Sequence, residues 1–309
     1  MYRIISIILL TLFLNQKGVS LQKDTIIADT VATQNSINKK RFIPLISAEI
    51  ATYSVTMVGL NSLWYKDYAK TPFHFFNDSK EWNQMDKCGH FFYSYYLSYI
   101  TTTGFKWTGM TSKQSAIWGS ALGLFYISSI EIFDGYSEAW GASPTDFLAN
   151  TIGASFFMTQ QLLWNEARII PKYSFTKSIY SDYRPDLLGK DLVEQLNKDY
   201  NAQTCWLSFN LQSLFKSKTI PKWFNIAIGY GADGMTGGHE NATEYNGVAI
   251  PEFKRIRQFY ISPDIDFSKI KTKSKFINTT LKVINFIKVP LPTLEYNSNN
   301  KLKLHALYF

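Results

Sequence analysis

The chain has 309 residues, 46% of them apolar and 16% aromatic, enough for a large core in one large domain or two unequal ones. Its formal net charge of +8 is concentrated at one end: Pro251–Phe309 carries eleven Lys/Arg against Glu252, Asp264, Asp266 and Glu295. Such a tail suits nucleic acid, anionic lipid or another acidic surface, and the export segment described next argues against nucleic acid.

The first residues, "MYRIISIILLTLFLNQKGVSLQ", place one Arg before an apolar stretch and then the small residues Gly18, Val19 and Ser20. That is the layout of a secretory signal peptide over 1–20, with an apolar core too short to span a bilayer and an uncleaved anchor as its rival. No Cys lies near the cleavage region, which does not support a lipid-anchored mature N-terminus. Cys88 and Cys205 are the two cysteines, read as buried thiols rather than as a disulfide framework. Residues 21–42 are polar and aperiodic and read as a flexible leader.

Four apolar segments follow, Pro44–Tyr65, about Cys88–Phe105, Ser112–Phe133 and Ser143–Ile169, each too long for a typical strand and so read as helices. The fourth has the clearest boundary: Ser143 as N-cap, Pro144 at the first helical position, Asp146 in the first turn, and "RIIP" as its close. These helices are expected to form a bundle over 43–171. Ser, Thr, Gln and Gly scattered through them, with a mean hydropathy of −0.13 for the chain, fit a bundle buried, lodged against a membrane or spanning it, with a lean towards the membrane.

Residues 172–203 read as a linker with a short helix, and 204–309 as a basic, β-rich region of short alternating segments separated by Gly, Asn and Pro clusters. The fold class expected is therefore α+β, an N-terminal four-helix bundle followed by a β-rich C-terminal region. In "SKIKTKSKF", Lys269, Lys271, Lys273 and Lys275 alternate with other residues, which on a strand puts four ammonium groups on one face. Such a face grips anionic lipid head groups or protects an exposed edge. The closing "KLKLHALYF" places Leu302, Leu304, Ala306 and Tyr308 on one face of a final strand, as in outer-membrane β-proteins.

Polar residues recur near the ends of the apolar segments. Asp86, His90 and Tyr93 share a stripe, with Lys87 beside it; Glu131 and Asp134 close the third segment; Asp146 and Asn150 share a face of the fourth. A lone buried charge costs several kcal/mol, so the economical arrangement brings Asp86, Lys87 and His90 against Glu131, Asp134, Asp146 and Asn150, with Ser143 and Tyr93 in support. Two readings fit this centre. It is a structural hydrogen-bond and ion-pair cluster, or an acid/base or divalent-metal site in which His90, Asp86 and Glu131 would be the metal ligands. There is no HExxH, CxxC pair, P-loop or GxSxG.

"DKCGHFFYSY", "EIFDG" and "GASPTDFLANTIGA" resemble the YfiM-type predicted periplasmic lipoprotein family, a domain of unknown function. "NDSKEWNQMDKCGH", "IPKWFNIAIGYGADGM" and "RQFYISPDIDFSKIKTKSK" are similar to its longer Bacteroidetes versions, over roughly residues 75–309. Asp86, Lys87, His90, Glu131, Asp134, Ser143, Asp146 and Asn150 match the family pattern, and the missing lipid-attachment cysteine departs from it. A fainter likeness is to VanZ-type membrane proteins. The resemblance implies an exported cell-envelope protein, on the periplasmic side or at the outer membrane. The activity stays open between a non-enzymatic protein and an envelope enzyme acting on lipid, lipopolysaccharide or a glycan carrier. The expected partner is a membrane or anionic lipid surface.

Overall fold

The computed structural model describes residues 37–65 and 68–309, so the expected signal peptide and most of the leader lie outside the described residues. The described chain is α+β, with long helices first and an antiparallel sheet after them. It divides into two compact units: one takes the described residues up to Phe76 with Tyr93–Ala167, the other Asn77–Phe92 with Arg168–Phe309.

In the helical unit, α1 (Lys39–Leu60) starts inside the expected leader, where the Asn38 side chain accepts from the Lys40 amide. A short π-helical turn, Asn61–Tyr65, follows it. Helix α2 (Met85–Trp107) begins in the other unit and continues into this one. Helix α3 (Ser112–Asp134) opens on a capping box between Thr111 and Gln114. Helix α4 (Pro144–Trp164) opens as its sequence indicates, with the Asp146 amide donating to Ser143 Oγ.

Its end differs from expectation. Asn165 adopts a left-handed conformation and caps the helix through its amide to the Gln161 carbonyl. The apolar residues that follow belong instead to strand β1 (Ile169–Phe175), where Pro171 is tolerated because β1 lies at the sheet edge.

Small residues let the helices approach. On α3, Gly119 and Gly123 face Thr102 and Ser98 of α2, and a Cβ at either would lie 2.5 or 2.6 Å from their backbone nitrogens. Thr101 Oγ1 donates to the Gly119 carbonyl at 2.6 Å. Helices α1 and α3 meet through Tyr53 and Tyr126, whose hydroxyls donate to Ser129 Oγ and to Glu49. Both α1 and α3 are long and apolar enough to cross a membrane, and most of α1 is exposed.

In the second unit the short helices α5 (Pro185–Leu188) and α6 (Leu192–Lys198) lead into β2 (Gln203–Asn210), and α7 (Leu211–Phe215) leads to β3 (Phe224–Asp233). A small hairpin, β4 (Glu244–Tyr245) and β5 (Val248–Ala249), precedes β6 (Ile256–Ile265). Helix α8 (Lys275–Val283), β7 (Leu291–Asn297) and β8 (Leu302–Tyr308) complete the unit. Among the described residues the main sheet runs β1-β2-β3-β6-β7-β8, antiparallel throughout.

Two expectations for this region are corrected. The lysine run is not a strand. Asp266 caps a 3-10 turn over Phe267–Lys269, and Ser274 caps α8, so Lys269, Lys271, Lys273 and Lys275 lie on a turn, a loop and a helix start. The final strand also does not present one apolar face. A bulge between the Leu291–Tyr308 and Thr293–His305 pairs inserts a residue into β8, so Leu302 and Leu304 face outward while His305 and Tyr308 face inward.

The enclosed face of the sheet is polar. Lys172 Nζ pairs with Asp264 Oδ2 at 2.8 Å, with both residues fully buried. Ser208 Oγ donates to the same carboxylate, and Lys288 lies over the Trp206 ring. Thr204 of β2 and Tyr308 of β8 are 3.1 Å apart although four steps separate their strands, so the sheet curls on itself.

Candidate functional site

The sequence residues fall into two groups, each built within one unit. The first sits at the entrance of α2. Residues Trp82, Asn83 and Gln84 form a turn with φ of 49°, 49° and 65°, left-handed backbone that costs roughly 1–2 kcal/mol per residue for an L side chain. The surrounding unit holds it. The Trp82 amide donates to the Gly238 carbonyl, Asn83 Nδ2 to the Ile256 carbonyl at 3.3 Å, and Gln84 Nε2 to the Ser79 carbonyl at 3.0 Å. Arg257 donates to Gln84 Oε1, and the Tyr230 hydroxyl to the Asn83 carbonyl. Backbone strain of this kind, held in place by its surroundings, gathers at functional positions.

Directly after the turn, Asp86 Oδ1 accepts from the Tyr200 hydroxyl at 2.6 Å and lies 3.9 Å from His90 Nε2. Lys87 Nζ bridges Asp86 Oδ2 at 3.0 Å and Asp78 Oδ2 at 2.6 Å. Burial raises the Asp86 pKa, but the charges of His90 and Lys87 and the hydrogen bonds from Tyr200 and Lys87 outweigh it and hold the carboxyl below its ordinary value. Cys88 lies in the same turns, with its thiol hydrogen-bonded to that of Cys205 on β2.

The second group belongs to the helical unit. Glu131 is buried at the end of α3, and its Oε2 accepts the Ser143 amide at 3.2 Å. Asp146 and Asn150 are buried one turn apart on α4, and the Asn150 carbonyl accepts from Ser94 Oγ of α2 at 2.6 Å. Asp134 accepts from the Tyr65 hydroxyl at 2.6 Å, beside the packed rings of Phe133 and Trp140. Tyr93 is half-buried on α2. A cavity of about 550 Å³ runs beside this group, lined by Phe73, Phe75, Leu124, Phe125, Ile132 and Phe147 with Glu131 and Ser143.

Sequence reasoning missed Asp78 and Tyr200, which complete the Asp86–Lys87 pairing. Asp78 lies in the stretch just before the helix; Tyr200, 114 residues from Asp86, gave no local signal. The left-handed turn was invisible too, since it contains no glycine.

Residues 74–161 match the model of a family described as predicted periplasmic lipoprotein (DUF2279), a domain of unknown function. The match spans α2, α3, most of α4 and the segment before them, and it includes Asp86, Lys87, His90, Tyr93, Glu131, Asp134, Ser143, Asp146 and Asn150. The description agrees with an exported cell-envelope protein, on the periplasmic side or at the outer membrane. No curated protein and no solved structure matches the chain.

Proposed function

We propose that the protein is a membrane-associated envelope protein without catalytic activity, whose four long helices form a bundle around one polar centre that fixes their register and binds a ligand. The observation that supports this is an offset along two helices. Ser94 meets Asn150, and Lys106 Nζ meets Gln161 Oε1 at 3.0 Å, so α2 and α4 run parallel with partners 55–56 positions apart. One turn back from Ser94 is His90, and one turn back from Asn150 is Asp146. Buried groups of this kind require each other, because a buried charge left alone costs several kcal/mol. Asp86 and His90, 3.9 Å apart, offer a carboxylate and an imidazole, donors suited to a divalent cation.

A double-mutant cycle tests the assembly. His90→Ala and Asp146→Asn should each destabilise the protein, with a coupling energy above about 0.5 kcal/mol, whereas additive effects would overturn the reading. Equilibrium dialysis against Zn²⁺ and Mn²⁺ then decides whether the ligand is a metal.

The cavity favours a second reading, an envelope enzyme acting on lipid. Its aromatic and aliphatic walls suit an acyl chain, and Glu131 with Ser143 supplies a polar end. Release of fatty acid or phosphate from phospholipid or lipopolysaccharide by the purified chain, abolished by Glu131→Gln, would support this reading over the first.

A further inference from the structure

The sheet is inside out for a protein surrounded by water. Its enclosed face carries Lys172, Asp264 and Glu295, all buried, with the buried Lys288 packed over Trp206, while the residues it exposes are largely apolar. Register aligns the outer face into rows. Ile228 pairs with Ile261, Ile261 with Leu294, and Leu294 with Leu304, an aliphatic row across β3, β6, β7 and β8. These four are 53%, 50%, 37% and 76% exposed, so the described residues leave them largely uncovered. Two residues along, Tyr230, Phe259, Tyr296 and Leu302 form a second, mostly aromatic row in the same register.

Beyond the other side of the aliphatic row, past Ile265, come Lys269, Lys271, Lys273 and Lys275 and then α8. No residue of α8 is buried, and it exposes Phe276 and Ile277 beside Lys275 and Lys282. A basic, amphipathic helix with an exposed aromatic residue is built to lie among anionic head groups.

We infer that the outer face of β3, β6, β7 and β8 sits against the acyl chains of a bilayer, with the lysine-rich turn and α8 at the head groups. Charge complementarity selects the bilayer over a second copy of the chain: the patch is bordered by lysines, which would repel their own copies in a symmetric pairing that overlaid these borders and are attracted by anionic lipid. The polarity itself, apolar outside and hydrogen-bonded polar inside with an aromatic row at one border, is that of lipid-facing antiparallel sheets.

The test uses the full chain in vesicles of phosphatidylethanolamine and phosphatidylglycerol. An environment-sensitive fluorophore is placed at Leu304→Cys, Leu294→Cys or, as a control, Glu244→Cys on the β4–β5 hairpin, each in a Cys88→Ser/Cys205→Ser background. The expected result is a blue shift and loss of emission with brominated acyl chains at Leu294 and Leu304, and neither at Glu244. The unmodified chain supplies a second measurement: a photoactivatable acyl chain should cross-link to peptides from 256–265 and 291–308. Labels that stay in water on vesicle-bound protein, cross-links confined to the helices, or a blue shift without lipid that follows protein concentration would each overturn the inference.

Discussion

Ser94 Oγ on α2 donates a 2.6 Å hydrogen bond to the Asn150 carbonyl on α4, and both residues are fully buried. The bond fixes where one helix stands along the other. Ser94→Ala leaves a buried carbonyl with one donor fewer, at a cost of about 0.5–1.5 kcal/mol because its bond within α4 remains. Urea denaturation should show that loss, whereas Ser94→Cys, closer in size, should lose less. A neutral Ser94→Ala would show that the bond does not hold the register.

Stability should fall on the acid side because of Asp86. Its folded pKa lies below the unfolded value, so its contribution is complete above the unfolded pKa and is lost as pH falls through the folded one. The urea midpoint should therefore drop as pH falls from about 5 towards 2. Asp86→Asn should be less stable at neutral pH and show a shallower acid limb. An unchanged slope would remove Asp86 from the set of stabilising carboxylates.

Helix approach at Gly119 and Gly123 leaves no space for larger side chains. Gly123→Val should force α3 away from Ser98 and cost about 1–3 kcal/mol or more as overpacking. Gly59→Ala is the control, since an added Cβ there meets nothing within 4 Å. Melting temperatures of the two variants check the difference.

Cys88 and Cys205 are free thiols in mutual contact. The hydrogen bond from Cys205 holds the Cys88 thiol below its ordinary value, which favours the thiolate that attacks. Treatment of the folded protein with diamide should remove both thiols, lower the mass by two hydrogens and stabilise the fold by about 2–4 kcal/mol. Two thiols still titrating after treatment would show that their geometry forbids the bond.

The buried pair Lys172–Asp264 should behave asymmetrically. Asp264→Asn leaves the ammonium groups of Lys172 and Lys288 without their carboxylate and should cost about 3–5 kcal/mol, while replacing all three at once, Lys172→Met and Lys288→Met with Asp264→Leu, should cost less than Asp264→Asn alone. Equal costs for the single and the triple replacement would mean that the charges do not depend on each other.

Helices α2, α3 and α4 were legible in the sequence from the length of their apolar segments, and at α4 the caps agree: Ser143 and Pro144 announce a start that no strand would use. The end of α4 was not legible, since an apolar run reads alike as buried helix or buried strand until Asn165 takes the left-handed conformation. The alternating lysines mimicked a strand because their period is two, while Asp266 and Ser274, both good caps, decided the local structure. The face of β8 was misread because a bulge leaves no trace in a pattern of alternation. Of the candidate residues, Glu131, Ser143, Asp146 and Asn150 were recognisable by being polar in apolar helices. Tyr200 was not, because a hydroxyl arriving from a distant turn has no periodicity to betray it.

The strained turn before α2 has one more consequence. Trp82, Asn83 and Gln84 are each tied to a different anchor, Gly238, Ile256 and Arg257, so a loop and the start of β6 clock the rotational phase of the helix that follows. A helix advances 100° per residue, and one residue inserted between Gln84 and Met85 would swing Asp86, Lys87 and His90 through that angle while the anchors stayed put. The aim of those three side chains is thus dictated from outside their own helix, like a key cut to the lock's indexing rather than to its own shaft.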